Sequence, residues 1–166
     1  MSYRNKTYVI FDGDTDIYAY RIMKGWKALE HLDFDFYDAH DLNVLTSQAG
    51  EETVKRKLRE RLKNTKQAIV LIGPNTKNLH RFVRWEIDAV LSMDIPIIAV
   101  NLNQNRIVDY DLCPPILRGE TAVHVAFRMK IIQYAMDNFP NEYHTLHAQS
   151  SGDRIYGNQI YERLGL

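Results

Sequence analysis

Six residues, Gln67-Ala68-Ile69-Val70-Leu71-Ile72, constrain the fold more than any other stretch of this chain. After Gln67 the run is wholly aliphatic and shows no polar alternation, so it does not read as a strand with one face in water. A continuous apolar strand needs cover on both faces, which is the situation in the middle of a parallel sheet. It stops at Gly73-Pro74-Asn75, residues that break regular structure.

The flanking periodicities supply that cover. Thr7-Tyr8-Val9-Ile10-Phe11 is a second buried strand, ending at Asp12-Gly13-Asp14. A helix is predicted from about Ile17 to Leu32, with Tyr18, Ile22, Met23, Trp26 and Leu29 on one side, and Phe34 to Tyr37 is a short strand. Residues 38–50 read as a long polar loop, against about 2 to 6 residues for most connections in such units. Further helices are expected at Glu51–Lys63, Arg81–Met93 and Phe127–Asn138, with strands at Ile95–Val100 and Ala122–Ala126. Strands alternating with helices imply right-handed crossovers and a parallel sheet between two helical layers. The expected architecture is a three-layer, flavodoxin-like α/β sandwich whose five-stranded parallel sheet has the order 2-1-3-4-5. This domain takes residues 1–142. Residues 143–166 form a tail in which Ile155, Ile160, Tyr161 and Leu164 suit a docking helix or a partner-binding segment.

Composition narrows the function. The 166 residues are 45% apolar and 25% charged, ordinary for a soluble domain. Lys plus Arg and Asp plus Glu both number 21, so the basic excess of a dedicated nucleic-acid binder is missing. Cys113 is the lone cysteine, which excludes an internal disulfide and suits a reducing cytoplasm. The polar start, Met1 to Lys6, lacks the apolar core of a signal peptide. No stretch approaches the roughly 18 apolar residues of a membrane span. The expectation is a cytoplasmic protein without membrane or nucleic-acid partners.

In open α/β sheets, ligands bind beyond the carboxyl ends of the strands, near the switch in strand order. Here those ends carry Phe11-Asp12-Gly13-Asp14, residues 38–41 with Asp41 the strongest polar candidate in the long loop, and Gly73-Pro74-Asn75. The helix after the third strand adds an anomaly. At about 100° per residue, Phe82, Val83, Ile87, Ala89, Val90, Leu91 and Met93 fill one arc, and Arg81, Arg84, Asp88 and Ser92 lie opposite. Glu86 falls inside the apolar arc, between Met93 and Val90. Desolvating a carboxylate costs several kcal/mol or raises its pKa, so Glu86 must meet a cation or line a cavity. Desolvated carboxylates cluster at functional sites.

The segment Leu71-Ile72-Gly73-Pro74-Asn75-Thr76-Lys77-Asn78, followed by Arg81-Phe82-Val83-Arg84-Trp85-Glu86-Ile87, resembles the signature of the bacterial TIR-like family that includes the TIR protein of the Thoeris anti-phage system. The strand Tyr8–Phe11, the loop Asp38-Ala39-His40-Asp41 and the strand Pro96–Asn101 support the resemblance, which covers roughly residues 6 to 140. It implies an enzyme that cleaves the nicotinamide–ribose bond of NAD, with NAD as substrate and no cofactor or metal. The product would be an ADP-ribose-derived signal, cyclic in the favoured reading, that reaches an effector protein. Glu86 maps onto the family's catalytic glutamate. The resemblance also implies a homo-oligomer, with a phage-derived component, a partner protein or self-assembly as the trigger. Phe11 or Trp85 would stack on nicotinamide or adenine, and Gly73 would admit close backbone approach. Asp12, Asp14, Asp41 and Asn75 complete the expected substrate contacts. The alternative is a non-catalytic TIR-like module that signals by protein assembly.

Asp12-Gly13-Asp14-Thr15-Asp16 departs from the Ser/Tyr-rich stretch usual after the first TIR strand, and three carboxylates would repel a nearby phosphate. The same turn resembles the Asp-x-Asp-x-Thr motif of haloacid-dehalogenase-type phosphatases, which also need late strand-end carboxylates; Ala99-Val100-Asn101-Leu102-Asn103 supplies none. A phospho-receiver would need an acceptor Asp where Ile72-Gly73-Pro74 stands. The basic face of the helix at 51–63 reads as solvated surface. His144 and His147 share a metal-compatible spacing, but two histidines in a polar segment rarely form a site.

Overall fold

The computed structural model describes residues 6–32, 34–35, 37–38 and 50–166. The strands are β1 (Lys6–Ile10), β2 (Tyr37–Asp38), β3 (Gln67–Ile72), β4 (Ile97–Asn101), β5 (Ala122–Ala126) and β6 (Arg154–Ile155). The helices are α1 (Ile17–Ala28), α2 (Glu51–Leu62), α3 (Arg81–Ser92), α4 (Met129–Gln149) and α5 (Asn158–Arg163). All strand pairs are parallel, in the order β2-β1-β3-β4-β5-β6. Every residue of β3, β4 and β5 is buried, as a doubly covered sheet requires.

Strand alternation sorts side chains between two apolar layers. Val9, Phe11, Ile69, Leu71, Ile98, Val100, Val123 and Val125 point into the layer made by α1, α4 and α5. Tyr8, Ile10, Val70, Ile72, Ile97 and Ala99 point into the layer made by α2 and α3, where Val54, Leu58, Leu62, Val83, Ile87 and Val90 meet them. β1 lies between β2 and β3, so the sheet's switch point falls at the carboxyl ends of β1 and β3.

Four expectations need correction. Among the described residues the sheet has six strands rather than five, because Arg154 and Ile155 pair with Val123 and His124 on the β5 edge. The second strand is Tyr37–Asp38, later than expected. α1 ends at Ala28, where the Leu29 N–H bonds the Trp26 carbonyl; its buried face is Ala19, Tyr20 and Met23, whereas Tyr18, Ile22 and Leu29 face solvent. α4 runs to Gln149 instead of Asn138, through Pro140. Proline removes one helical hydrogen bond, but Ile131, Ile132, Ala135, Met136, Phe139 and Tyr143 continue one buried stripe across it, so tertiary burial outweighs the local cost.

The boundary expected at residue 142 therefore falls inside α4. Beyond it, Tyr161 of α5 is fully buried in the α1/α4 layer, and its hydroxyl accepts the Ala126 N–H at 3.2 Å. No helix among the described residues is long and apolar enough to cross a membrane.

Candidate active site

α3 carries Glu86 in the middle of a helix whose Val83, Ile87 and Val90 anchor the α2/α3 layer. Glu86 retains only 5% of its exposure, and Oε2 has no hydrogen-bond partner. Burial pushes its carboxyl up to about 8, opposed by the nearby Arg61 charge from α2. Of the two outcomes expected for a carboxylate in the apolar arc, the nearby cation is the one found, in Arg61, and burial still holds the acid largely protonated at neutral pH.

The carboxyl ends of β1 and β3 form a second polar cluster. Asp12, just past β1, is buried; its Oδ1 accepts the Asp14 N–H at 3.0 Å. Its Oδ2 has no hydrogen-bond partner and lies 3.8 Å from His80 Nε2 at the start of α3. Asp16 turns inward instead of joining an acidic rim. Its carboxyl rests on the α-carbon of Gly73, where any side chain would collide with it, and Thr76 Oγ1 lies 3.3 Å from Oδ2. The Thr76 hydroxyl also accepts the Gly73 N–H at 2.9 Å. Burial raises the Asp16 pKa and the Asp12 charge adds to it, while the hydrogen bonds from Thr76 and Thr15 oppose the rise.

Gly73 thus admits a neighbouring carboxyl, and a test follows. Gly73→Ala is expected to destabilise the fold by about 1–3 kcal/mol through overpacking. In an Asp16→Ala background the cost should shrink, and urea midpoints of the four chains measure the coupling. Equal costs in both backgrounds would show that the contact is not what Gly73 accommodates.

The remaining expected residues separate. Phe11 is buried in the α1/α4 layer, its ring stacked on Tyr20 at 4.9 Å; it lies on the sheet face opposite α3. Trp85 is half-buried, edge-on to Phe82 at 5.7 Å, with Lys55 Nζ of α2 at 6.0 Å. It helps line a 130 Å³ pocket with Lys55, Arg59 and Asp88. Asp14 is exposed and Asn75 half-buried at the start of a 3₁₀ turn, Thr76–Asn78. Asp41 and His40 lie outside the described residues.

Asp16, Thr76 and His80 were not among the expected contacts. Thr76 stands inside the 71–78 signature, so its spacing after Gly73 was a usable signal; nothing in the sequence pairs His80 with Asp12. Among the described residues no group of three or more His, Cys, Asp or Glu side chains is placed to hold a metal. His147 Nδ1 instead lies 2.9 Å from Thr121 Oγ1, and His144 lies 3.8 Å from Asp94. Cys113 is buried and its thiol is pushed up to about 11, which suits packing and not nucleophilic attack.

A parallel α/β sandwich with a desolvated carboxylate on the helix after its central strand is the class of protein that fold and site define. Within that class, the sequence profile of the Thoeris protein ThsB TIR-like domain matches residues 8–107. The chain belongs to this anti-phage defence family.

Proposed function

We propose that the protein cleaves the nicotinamide–ribose bond of NAD with Glu86 as the catalytic carboxylate, yielding an ADP-ribose-derived cyclic signal that activates an effector protein. The observation that carries this reading is the burial of Glu86, with an unpartnered oxygen and a pKa near 8. Departure of nicotinamide leaves an oxocarbenium-like ribose, as in glycoside hydrolysis. A carboxylate in a low-dielectric pocket stabilises that cation far better than one in water. The nicotinamide ring of NAD is itself positively charged, so its arrival favours the ionised acid. A nucleophile within the folded-back ADP moiety then outcompetes water by its effective molarity, which yields a cyclic product.

NAD is a substrate in this reading, and no cofactor or metal takes part. Asp12, Asp14, Gly73, Asn75 and Asp41 contact it, and the enzyme works in the cytoplasm as a homo-oligomer released by a phage-derived trigger. Phe11 stacks on Tyr20 in the layer away from α3, so Trp85, half-buried on α3, is the ring that stacks on nicotinamide or adenine in this reading.

The test is nicotinamide release from NAD, with products separated by chromatography. Glu86→Ala is expected to lower the rate at least about 100-fold, the scale of losing one transition-state electrostatic partner. Before substrate binds, the active fraction of ionised Glu86 grows toward pH 8, so kcat/KM should rise between pH 6 and 8. Undiminished cleavage by Glu86→Ala would overturn the mechanism.

A further inference from the structure

The geometry points to Asp12 and His80 as a binding site for a hydroxyl group, which we assign to a ribose hydroxyl of the dinucleotide; this rests on the NAD reading above. Asp12 retains 3% of its exposure, so its carboxylate is desolvated and fixed. One oxygen is satisfied by the Asp14 N–H, and the other, Oδ2, is buried without a hydrogen-bond partner. Leaving a buried acceptor unsatisfied is costly, more so when it is charged, and a ligand that donates to it recovers that cost.

His80 supplies the complementary half. Its Nε2 is 3.8 Å from Oδ2, too far for a direct hydrogen bond, and its ring is 63% exposed. When the exposed His80 side chain swings outward to admit a ligand, an oxygen about 2.8 Å from each atom bridges the two. A hydroxyl suits this position because it donates to the carboxylate and accepts from the imidazole N–H at once. A phosphate oxygen does not, since it brings only lone pairs to a carboxylate. A carbonyl fails for the same reason. The pair stands at the carboxyl end of β1, beside the switch point with β3, where ligands of open α/β sheets bind. The acidic turn after β1, unsuited to a phosphate, is in this light the sugar side of the site.

The test is NAD binding to the full chain, measured calorimetrically in a Glu86→Gln background to prevent turnover. His80→Ala is expected to weaken Kd about tenfold, on the scale of one hydrogen bond to a charged network. His80→Gln, which keeps an N–H donor, should recover part of the loss. Asp12→Asn should weaken binding at least as much, because its amide leaves no charged acceptor. NAD analogues lacking a hydroxyl on the nicotinamide ribose, or on the adenosine ribose, identify the source. The analogue that lacks the bridging hydroxyl should bind His80→Ala and the His80 chain equally. Unchanged NAD affinity in His80→Ala, or a His80→Ala loss of the same size for every analogue, would overturn the inference while leaving NAD recognition intact. No NAD binding by any chain, together with no nicotinamide release by the wild type, would remove the NAD reading and this site with it.

Discussion

Glu86→Gln is expected to unfold at a higher temperature than the wild type at pH 8, and to release no nicotinamide. In the unfolded chain a glutamate ionises near its ordinary value of 4.5, whereas in the folded protein burial holds Glu86 up to about 8. A raised acid binds its proton more tightly when folded, so stability is fully present below about 4.5 and is lost as pH rises toward 8. The loss between pH 5 and pH 8 is on the order of 3 kcal/mol. Glutamine keeps the shape without the charge, so its stability should not follow that slope. The two proteins should unfold at similar temperatures at pH 5, where Glu86 is neutral, and separate by several degrees at pH 8. A gap that stays constant from pH 5 to pH 8 would mean that Glu86 ionises normally in the folded state. On the proposed mechanism the same substitution removes the charge that would stabilise the oxocarbenium, so stability and activity should move in opposite directions. A residue selected for packing alone would not show that conflict.

Glu86 was legible in the sequence for the reason that makes it costly: a carboxylate among Phe82, Val83, Ala89 and Val90 breaks a helical pattern that local rules otherwise obey. β3 was legible because a central parallel strand must be apolar on both sides, and Gln67–Ile72 is the segment that meets this demand. The facing of Phe11 could also have been read, since period-two alternation places it with Val9, away from the layer holding α3. Other features had no local signal. β6 is two residues long and exists through its pairing with β5, so no periodicity could reveal it. The reach of α4 past Pro140 depends on burial of Phe139 and Tyr143, a tertiary effect that overrides a local breaker. The contact between Asp12 and His80 joins two loops brought together by the β1–β3 pairing, and sequence spacing carries no trace of it.

Tyr161→Ala should be the most destabilising single substitution in the C-terminal segment, at about 4 kcal/mol. Full burial of its ring places it among aromatic-to-alanine truncations, which cost roughly 3–5 kcal/mol. Its hydroxyl adds a second contribution, because it accepts the N–H of Ala126 at the end of β5, and a buried donor left unpaired costs about 1–3 kcal/mol. Tyr161→Phe separates the two, and should lose only about 1 kcal/mol. Denaturant midpoints of the three chains measure both steps. Arg106 lies 4.3 Å above the Tyr161 ring, and Asn101 at the end of β4 donates to the carbonyls of Asn105 and Ile107. The loop after β4 is thus tied on one side to the sheet and on the other to α5. Removing the ring should therefore also speed amide exchange in residues 103–108, at the strand ends where the candidate site lies. The family match ends at residue 107, but the ring that closes the α1/α4 layer comes from 54 residues later in the same chain. A loss below about 1 kcal/mol in Tyr161→Ala would mean that α5 rests on the domain without helping to hold it together.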